Sequence, residues 1–358
     1  MNPLRTAGAA LALAGVLAIS ASAATASPTT GHTITGNDGE RVEYFTHGDP
    51  RDPALMISPA FTGSAKLYAQ KFGAALPGWF VVATQLRAHG TGGGCTDGAV
   101  TWCKPSQAPY QGSYSGFRMS RLTADVQAVR RHLGLRRTAI MGHSIGMSVV
   151  TGYVDMYGTD GLTGMFVYDQ SPKNLDVGQP EVASFPAGIA TYPVTALNSF
   201  TDTFGVFERG RGYVNVPTNN RLMLGGPTGN PVFDPANPQP AFLLRESDWK
   251  QWQQFANRLN GKALGLMFWS TITQDYTDTY RVVRNSRMPV LVYGGKSSIV
   301  PWKAMQWVHE QLPGSEFMLF DEQVGVHGAF LNPAPSGTTF MRRVRSFFER
   351  RIRPRANA

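Results

Sequence analysis

The sequence has few cysteines, few acidic residues and no recognised nucleotide or metal motif. Only 2 of its 358 residues are cysteine. Charged residues account for 16% of the chain and hydrophobic residues for 42%, a balance that favours a large folded core over disorder. The chain has no P-loop, and the glycine run at residues 90–94 lacks the helix signature and downstream acid of a dinucleotide site. We therefore expect no cofactor and no metal ion.

Long apolar runs are also absent, except near the N-terminus. Arg5 precedes an apolar run at residues 7–19, and small residues follow it up to Ala26. This pattern predicts a secretory signal peptide over residues 1–26, cleaved after Ala26 or after Ala23. The run is too short to span a membrane, and no lipobox cysteine follows it. We expect a secreted, soluble protein, extracellular or in the cell envelope, without stable membrane insertion.

The two cysteines, Cys95 and Cys103, bracket a short loop. An isolated close pair in an exported protein favours a disulfide, which would close this loop. A metal pair is the alternative, but no His or acidic residue stands nearby at ligand spacing.

Acidic residues are outnumbered by basic ones, and the formal net charge is +9. Much of the excess lies in the last turns of the chain, which alternate arginines with apolar residues. This pattern predicts an amphipathic C-terminal helix with a solvated basic face, and we favour that interpretation over a nucleic-acid site. The arginines are Arg342, Arg343, Arg345, Arg350, Arg351, Arg353 and Arg355; the apolar residues are Phe340, Val344, Phe347, Phe348 and Ile352.

Short, continuously apolar segments alternate with helical patterns along most of the chain. Such alternation predicts an α/β fold with a mostly parallel sheet and helices on both faces. Strands are predicted at residues 41–46, 54–58, 79–84, 165–168, 289–293 and 316–320, with a further strand before residue 142, and helices at 120–135 and 302–312.

The pattern changes between two of the predicted strands. Residues 217–240 are rich in proline, glycine and asparagine, and an aromatic helical stripe follows them. We predict an inserted cap over residues 172–287, which divides the core into residues 27–171 and 288–358. A cap at this place would cover the carboxyl ends of the strands, where open α/β sheets bind ligands.

Residues 138–150 read T-A-I-M-G-H-S-I-G-M-S-V-V, an apolar strand, a sharp turn and a helix. This is the context of the G-x-S-x-G nucleophile elbow, which exposes the serine side chain, here Ser144. A Cβ at Gly142 or Gly146 would collide with the neighbouring strand and helix. The alternative is a serine in an ordinary tight turn.

Four segments together resemble the α/β-hydrolase superfamily, and within it the capped esterase and haloperoxidase-like members. They are F-T-G-S-A at residues 61–65, L-R-A-H-G at 86–90, G-H-S-I-G at 142–146 and V-H-G-A-F-L-N-P at 326–333. They occur in the order of that family and extend over the mature chain except for the cap. The resemblance implies an α/β-hydrolase sheet with an inserted cap.

The resemblance implies a catalytic histidine after the last strand, and His327 occupies that position. His89 falls in a strand-end turn that is usually structural in the family. His143 is the variable residue of the elbow, which more often packs or tunes the pocket than reacts.

The acid of the triad departs from the usual pattern. Ser297 stands where the family most often has Asp, after the strand ending at Tyr293. Asp169 follows the preceding strand, and some family members carry the acid there. We expect both strand ends to adjoin the nucleophile strand, so that Asp169 reaches His327. Alternatively Asp169 only caps the next turn; Asp321 and Glu322 are weaker candidates for the acid.

Two backbone N–H groups are expected to form the oxyanion hole. One belongs to Ile145, at the start of a helix, and the other to Phe61. Phe61 follows Pro59-Ala60, where the family usually has His-Gly, but a backbone donor survives that replacement.

These residues predict an exported serine hydrolase that cleaves a carboxylic ester, lactone or thioester through an acyl-enzyme on Ser144. Its substrate would be a small, apolar molecule. Two alternatives stay open: a cofactor-free haloperoxidase (perhydrolase) or C–C bond hydrolase with the same triad, and a hydrolase-fold binding protein without catalysis.

Overall fold

The computed structural model describes residues 28–87, 89, 114–176, 192–193, 267, 270–271, 273–298, 300–321, 323–332 and 334–357. The predicted signal peptide, Cys95 and Cys103, Glu322 and most of the predicted cap lie outside these residues. The cleavage site, the disulfide and the domain bounds therefore stay predictions. In the described part of the chain, no helix combines the length and apolar character that a membrane crossing needs.

Eight strands form one sheet, in the order β1-β2-β4-β3-β5-β6-β9-β10. The two junctions made by β2 are antiparallel and the other five are parallel. Strands β7 and β8 pair separately. The strands are β1 Thr30–Thr35, β2 Arg41–His47, β3 Ala54–Ser58, β4 Phe80–Thr84, β5 Thr138–His143, β6 Leu162–Tyr168, β7 Leu175–Asp176, β8 Tyr192–Pro193, β9 Val290–Gly295 and β10 Glu316–Phe320.

Helices pack against this sheet in two groups. Helix α1 contacts α6, and α2, α3, α4 and α5 form a continuous row. The helices are α1 Ala65–Ala75, α2 Met119–His132, α3 Ile145–Tyr157, α4 Thr279–Ser286, α5 Trp302–Gln311, α6 Ser336–Phe347 and α7 Arg353–Ala356, with a π-helical turn at Phe348–Ile352 between α6 and α7.

The central strands are buried on both faces. Every residue of β3, β4, β5 and β9 is buried, and successive side chains of a strand point to opposite faces. Both faces of the sheet are therefore covered, which confirms the predicted α/β fold with a mostly parallel sheet.

The sequence did not predict β1, and it predicted the wrong neighbours for one strand. Strand β1 reads T-G-H-T-I-T and is mostly exposed at the edge of the sheet, so it lacks the apolar pattern that reveals a buried strand. The expectation that the strand ends after Tyr168 and Tyr293 both adjoin the nucleophile strand is wrong. Strand β6 lies between β5 and β9, so only the end of β6 is next to the elbow.

The predicted amphipathic helix at the C-terminus is confirmed. Its apolar residues Phe340, Val344, Phe347, Phe348 and Ile352 are all buried. They pack this end of the chain against the core and leave most of its arginines exposed.

Candidate active site

Ser144 stands on a sharp turn between β5 and α3. Its backbone has φ 54° and ψ −130°, a conformation that L residues rarely adopt. A Cβ at Gly142 would lie 2.4 Å from the Gly146 carbonyl oxygen, and a Cβ at Gly146 would lie 2.0 Å from the Ser58 carbonyl oxygen. Both glycines are thus required by the close approach of strand, turn and helix, as the elbow pattern predicts.

Backbone strain is concentrated around this turn. Among the described non-glycine residues with positive φ, three lie just beyond the carboxyl ends of neighbouring strands: Thr62 (58°), Ser144 (54°) and Asp169 (52°). Such conformations cost about 1–3 kcal/mol each and cluster at functional sites, where the surrounding structure imposes them. The clustering marks this edge of the sheet as the candidate site.

Asp169 and His327 form a buried pair at the same edge. His327 Nδ1–H donates to Asp169 Oδ2 at 2.7 Å, and the side chains are 2% and 0% exposed. With the Nδ1 proton held by the carboxylate, neutral His327 has its lone pair on Nε2, the tautomer that a general base needs. The structure therefore brings together the two residues that the sequence predicted as base and acid.

The Asp169 carboxyl is held by several donors. Complete burial raises its pKa above the ordinary value, because a carboxylate loses its hydration there. Hydrogen bonds from His327, from Ser298 and from the Gly295 backbone oppose this rise by stabilising the charged form. An Asp that only capped the next turn would not be buried against a histidine, so the geometry favours the acid role.

Ser298 is the residue that the sequence analysis missed. Its hydroxyl donates to Asp169 Oδ2, and its Oγ lies 3.5 Å from His327 Nδ1. The Val300 N–H donates to the same Oγ at 3.1 Å and so orients the hydroxyl. The spacing of the G-G-K-S-S run places Ser297 at the acid position of the family, and it gives no sign that Ser298, one residue later, contacts Asp169.

Asp321, a weaker candidate for the acid, points elsewhere. It is exposed, and its carboxylate accepts a hydrogen bond from the Gln323 N–H at 3.3 Å. His327 Nδ1 is already bound to Asp169, so Asp321 is not its partner.

His143 links the elbow to two other loops. Its Nε2–H donates to the His327 carbonyl at 2.9 Å, so the proton of neutral His143 is on Nε2. Its Nδ1 accepts the hydroxyl proton of Tyr68, and that hydroxyl accepts the Ala60 N–H at 3.3 Å. The His143 ring also stacks on Tyr168 with 4.0 Å between centroids. His143 is thus a buried structural residue between the Ala60 loop and the His327 loop.

His89 supports the loop after β3. Its Nε2 accepts the Thr62 N–H at 2.8 Å, and its Nδ1–H donates to the Arg87 carbonyl at 2.8 Å. The Arg87 guanidinium is itself buried and donates to Asp125 at 2.7 Å. The strand-end turn that the sequence predicted as structural therefore positions Thr62, the neighbour of Phe61.

The two predicted oxyanion donors belong to different elements, the start of α3 and the loop after β3. Ile145 is the first residue of α3, where a helix leaves N–H groups without intrahelical acceptors. Phe61 lies in the turn closed by the Gly63 N–H donating to the Ala60 carbonyl at 2.8 Å. The Thr62 N–H is directed to His89, and the N–H groups of Ile145 and Phe61 stay the predicted oxyanion donors.

Backbone contacts bring Ser144 to the Asp169–His327 pair. The Ser144 N–H donates at 3.0 Å to the carbonyl of Tyr168, the residue before Asp169. His143, the residue before Ser144, is bonded to the His327 backbone. A serine, a histidine, an acid and two candidate oxyanion donors thus meet at one edge of the sheet, the set of groups that acyl transfer requires.

Comparisons with known proteins identify the family and the fold. The sequence profile of the α/β hydrolase fold family matches residues 53–332. The chain belongs to the α/β-hydrolase fold family. No curated protein is similar enough in sequence to match it. Within the described residues of this hydrolase-fold chain, no three His, Cys, Asp or Glu side chains lie close enough to hold a metal ion.

Solved structures of the same fold include proteins of several activities. A bromoperoxidase from Bacillus anthracis superposes with a TM-score of 0.64 at 17% identity, over 89% of this chain and 100% of that one. An esterase from Exiguobacterium antarcticum gives 0.65 at 14% identity, over 89% and 100%. An enol-lactonase from Burkholderia xenovorans gives 0.61 at 14% identity, over 89% and 100%. At these identities the likeness establishes the fold of this hydrolase-family chain.

Acid should destabilise the fold through its buried histidines. Burial lowers the pKa of His89 to about 4 and that of His143 well below its ordinary value. A lowered pKa in the folded state contributes stability that is complete above the unfolded value of about 6.5 and is lost as the pH falls towards the folded value. For His89 the loss between those values is about 3 kcal/mol. Urea unfolding measured from pH 7 to pH 4.5 should show this decline.

A glutamine at position 89 separates the contribution of His89 to this loss of stability from general acid denaturation. His89→Gln keeps a side-chain acceptor that does not titrate, so its stability should depend less steeply on pH than that of the parent. His132→Gln, at an exposed histidine, is the matched control and should keep the parent slope. An unchanged slope in His89→Gln would contradict the prediction.

Proposed function

We propose that this protein is a serine hydrolase that cleaves a carboxylic ester, lactone or thioester through an acyl-enzyme on Ser144. The observation that carries the proposal is a serine on a strained strand-to-helix turn beside a buried Asp169–His327 pair at 2.7 Å. The alternative of a binding protein without catalysis depended on the absence of an acidic residue at position 297. The carboxylate of Asp169, at the end of β6, is hydrogen-bonded to His327 and argues against that alternative.

The reaction follows from the positions of these groups. Ser144 Oγ attacks the acyl carbon while His327 Nε2 takes its proton, and Asp169 stabilises the imidazolium. The Ile145 and Phe61 N–H groups stabilise the oxyanion of the tetrahedral intermediate. Collapse expels the leaving group with the proton from His327. Water, activated by the same histidine, then hydrolyses the acyl-enzyme and restores Ser144.

A labelling and turnover assay tests the proposal. The protein is incubated with a fluorophosphonate probe and, separately, with p-nitrophenyl esters of short acyl chains. We expect covalent labelling that mass spectrometry maps to the peptide containing Ser144, together with ester hydrolysis that the probe abolishes. Absence of both labelling and turnover in the folded protein would rule out the proposal and favour a binding role.

A perhydrolase is the second candidate, favoured by the bromoperoxidase among the structures of the same fold. It would use the same acyl-enzyme, with hydrogen peroxide replacing water as the second nucleophile and a peracid as the product. Peracid formation from acetate and peroxide, measured beside ester hydrolysis, separates the two activities.

We also propose that the protein is exported, with residues 1–26 removed and Cys95 joined to Cys103. The support is the signal-like N-terminal pattern and the isolated cysteine pair. N-terminal sequencing of protein recovered from the medium, with a thiol count under denaturing conditions, tests both statements. An intact N-terminus or two free thiols would contradict them.

A further inference from the structure

A second candidate site lies at the edge of the sheet opposite Ser144. A cavity of about 460 Å³ is lined by residues before β9 and β10, on α4 and in the C-terminal segment. Val290 is the first residue of β9, whose 6 residues separate its two ends by about 16 Å. Ser298 follows the other end. The cavity is therefore separate from the Asp169–His327 site.

Four arginines surround this cavity, which we call the arginine pocket. They are Arg284 and Arg287 at the end of α4, and Arg351 and Arg355 in the C-terminal segment. The lining also includes apolar residues: Val283, Met288, Val290 and Leu312 are each less than 9% exposed. The lining of the pocket thus combines buried apolar side chains with exposed arginines that come from two separate parts of the chain.

None of the four arginines has a carboxylate partner among the described residues, although their neighbours do. Arg281 pairs with Asp278 at 2.7 Å, Arg350 with Glu316 at 3.0 Å, and Arg353 with Glu349 at 2.5 Å. Each of these arginines belongs to the same two segments as the pocket. Three nearby carboxylates are therefore engaged with arginines outside the pocket, and the four pocket arginines, which are exposed to solvent, make no ion pair with a described residue.

Local interactions account for only part of this arrangement. Arg284 and Arg287 lie at the C-terminus of α4, where the helix dipole favours cations. Arg351 donates to the Gly314 carbonyl at 3.3 Å, which occupies one of its five N–H groups. Neither the helix dipole nor this hydrogen bond neutralises the charge of a guanidinium group. Neither of them explains why the C-terminal segment adds two more arginines to the same cavity.

Arg287 is also held in a costly conformation. It ends α4 with φ 54°, in the left-handed region where glycine or asparagine is the usual residue. An arginine there pays a backbone strain that glycine would avoid, and the strained conformation fixes where its side chain leaves the helix end. Ending the helix does not require an arginine at position 287, because glycine would end it without this strain.

We propose that the arginine pocket is a binding site for a phosphate-bearing anion. Guanidinium groups bind phosphate oxygens in pairs through parallel N–H···O bonds, and several of them suit an anion with two or more negative charges. The phosphate belongs either to a free small molecule or to the headgroup of a phospholipid. The site is independent of the proposed hydrolase activity.

Binding of inorganic phosphate to the purified protein tests the site itself. Isothermal titration and thermal-shift measurements use the parent, Arg284→Gln/Arg287→Gln, and a control, Arg131→Gln/Arg342→Gln, which removes the same charge from exposed positions outside the pocket. We expect the pocket variant to weaken phosphate binding about 10-fold or more, since charge-assisted hydrogen bonds are lost. The control should bind like the parent.

Vesicles distinguish the two sources of phosphate. Sedimentation with phosphatidylcholine vesicles, with and without phosphatidylglycerol, is measured for the same three proteins. Binding to the anionic vesicles that is lost in the pocket variant identifies a lipid headgroup, and phosphate binding without vesicle binding identifies a free ligand. No phosphate binding by the parent, or equal weakening in both double variants, would overturn the proposal, because charge alone would then account for the result. Ester turnover should be unchanged in every variant.

Discussion

Replacing Ser144 by alanine should reduce ester turnover by about 10⁴-fold or more and abolish fluorophosphonate labelling. Without the nucleophile no acyl-enzyme forms, and only binding and oxyanion stabilisation continue to act on the substrate. The fold should survive, because Ser144 already has φ 54° and alanine accepts that conformation no worse than serine does. Initial rates at saturating ester and far-UV circular dichroism measure the two quantities.

Two further serine variants provide comparisons for Ser144→Ala. Ser346→Ala, at an exposed position on α6, should keep full turnover and labelling. Ser144→Gly should be as inactive as the alanine variant but more stable than it by about 1 kcal/mol, because glycine relieves the positive φ. Turnover within tenfold of the parent in Ser144→Ala would mean that the elbow serine is not the nucleophile.

Asp169→Asn should reduce kcat by about 10³–10⁴-fold with little change in stability. The asparagine amide no longer accepts the His327 Nδ1 proton as a carboxylate does, so the histidine loses both its reactive tautomer and the charge that stabilises its protonated form. Steady-state kinetics with a p-nitrophenyl ester measure the loss. Unchanged kcat would assign Asp169 to turn capping.

The loop after β9 offers a rescue experiment for the same acid. Ser298 Oγ lies 3.5 Å from His327 Nδ1, so a carboxylate at position 298 is within reach of the histidine. Asp169→Asn/Ser298→Asp should therefore recover part of the lost kcat. Asp169→Asn/Ser297→Asp is the matched control and should recover none, because it is the Ser298 hydroxyl that contacts Asp169 and lies 3.5 Å from His327 Nδ1. Recovery in both double variants, or in neither, would contradict this assignment.

Much of the site could be predicted from the sequence because its local constraints are strong. The elbow needs glycine at positions 142 and 146 and a strand before Ser144, and all three features are readable in a short segment. The parallel strands were predictable because burial on both faces leaves continuous apolar runs. Asp169 followed from the absence of a carboxyl group at Ser297.

The rest depended on relations between distant residues. The contact of Ser298 with Asp169 joins residues 129 positions apart, and the spacing of the family motif points to Ser297 instead. The order of β5, β6 and β9 is set by packing of the whole sheet, so the neighbours of the elbow could not be predicted from local pattern. Strand β1 was not predicted because an exposed edge strand has little apolar periodicity.

The hydrogen bonds from Ala60 through Tyr68 and His143 to the His327 carbonyl restrict how this sequence can change. Replacing Tyr68 or His143 alone leaves a buried donor or acceptor without its partner, at a cost of about 1–3 kcal/mol. Replacing both with apolar residues removes the Tyr68–His143 donor and acceptor together, so the double replacement should cost less than the sum of the two single ones, although the Ala60 N–H and the His327 carbonyl then lose these partners. Positions 68 and 143 should therefore be energetically coupled, so that the cost of a change at one depends on the residue at the other.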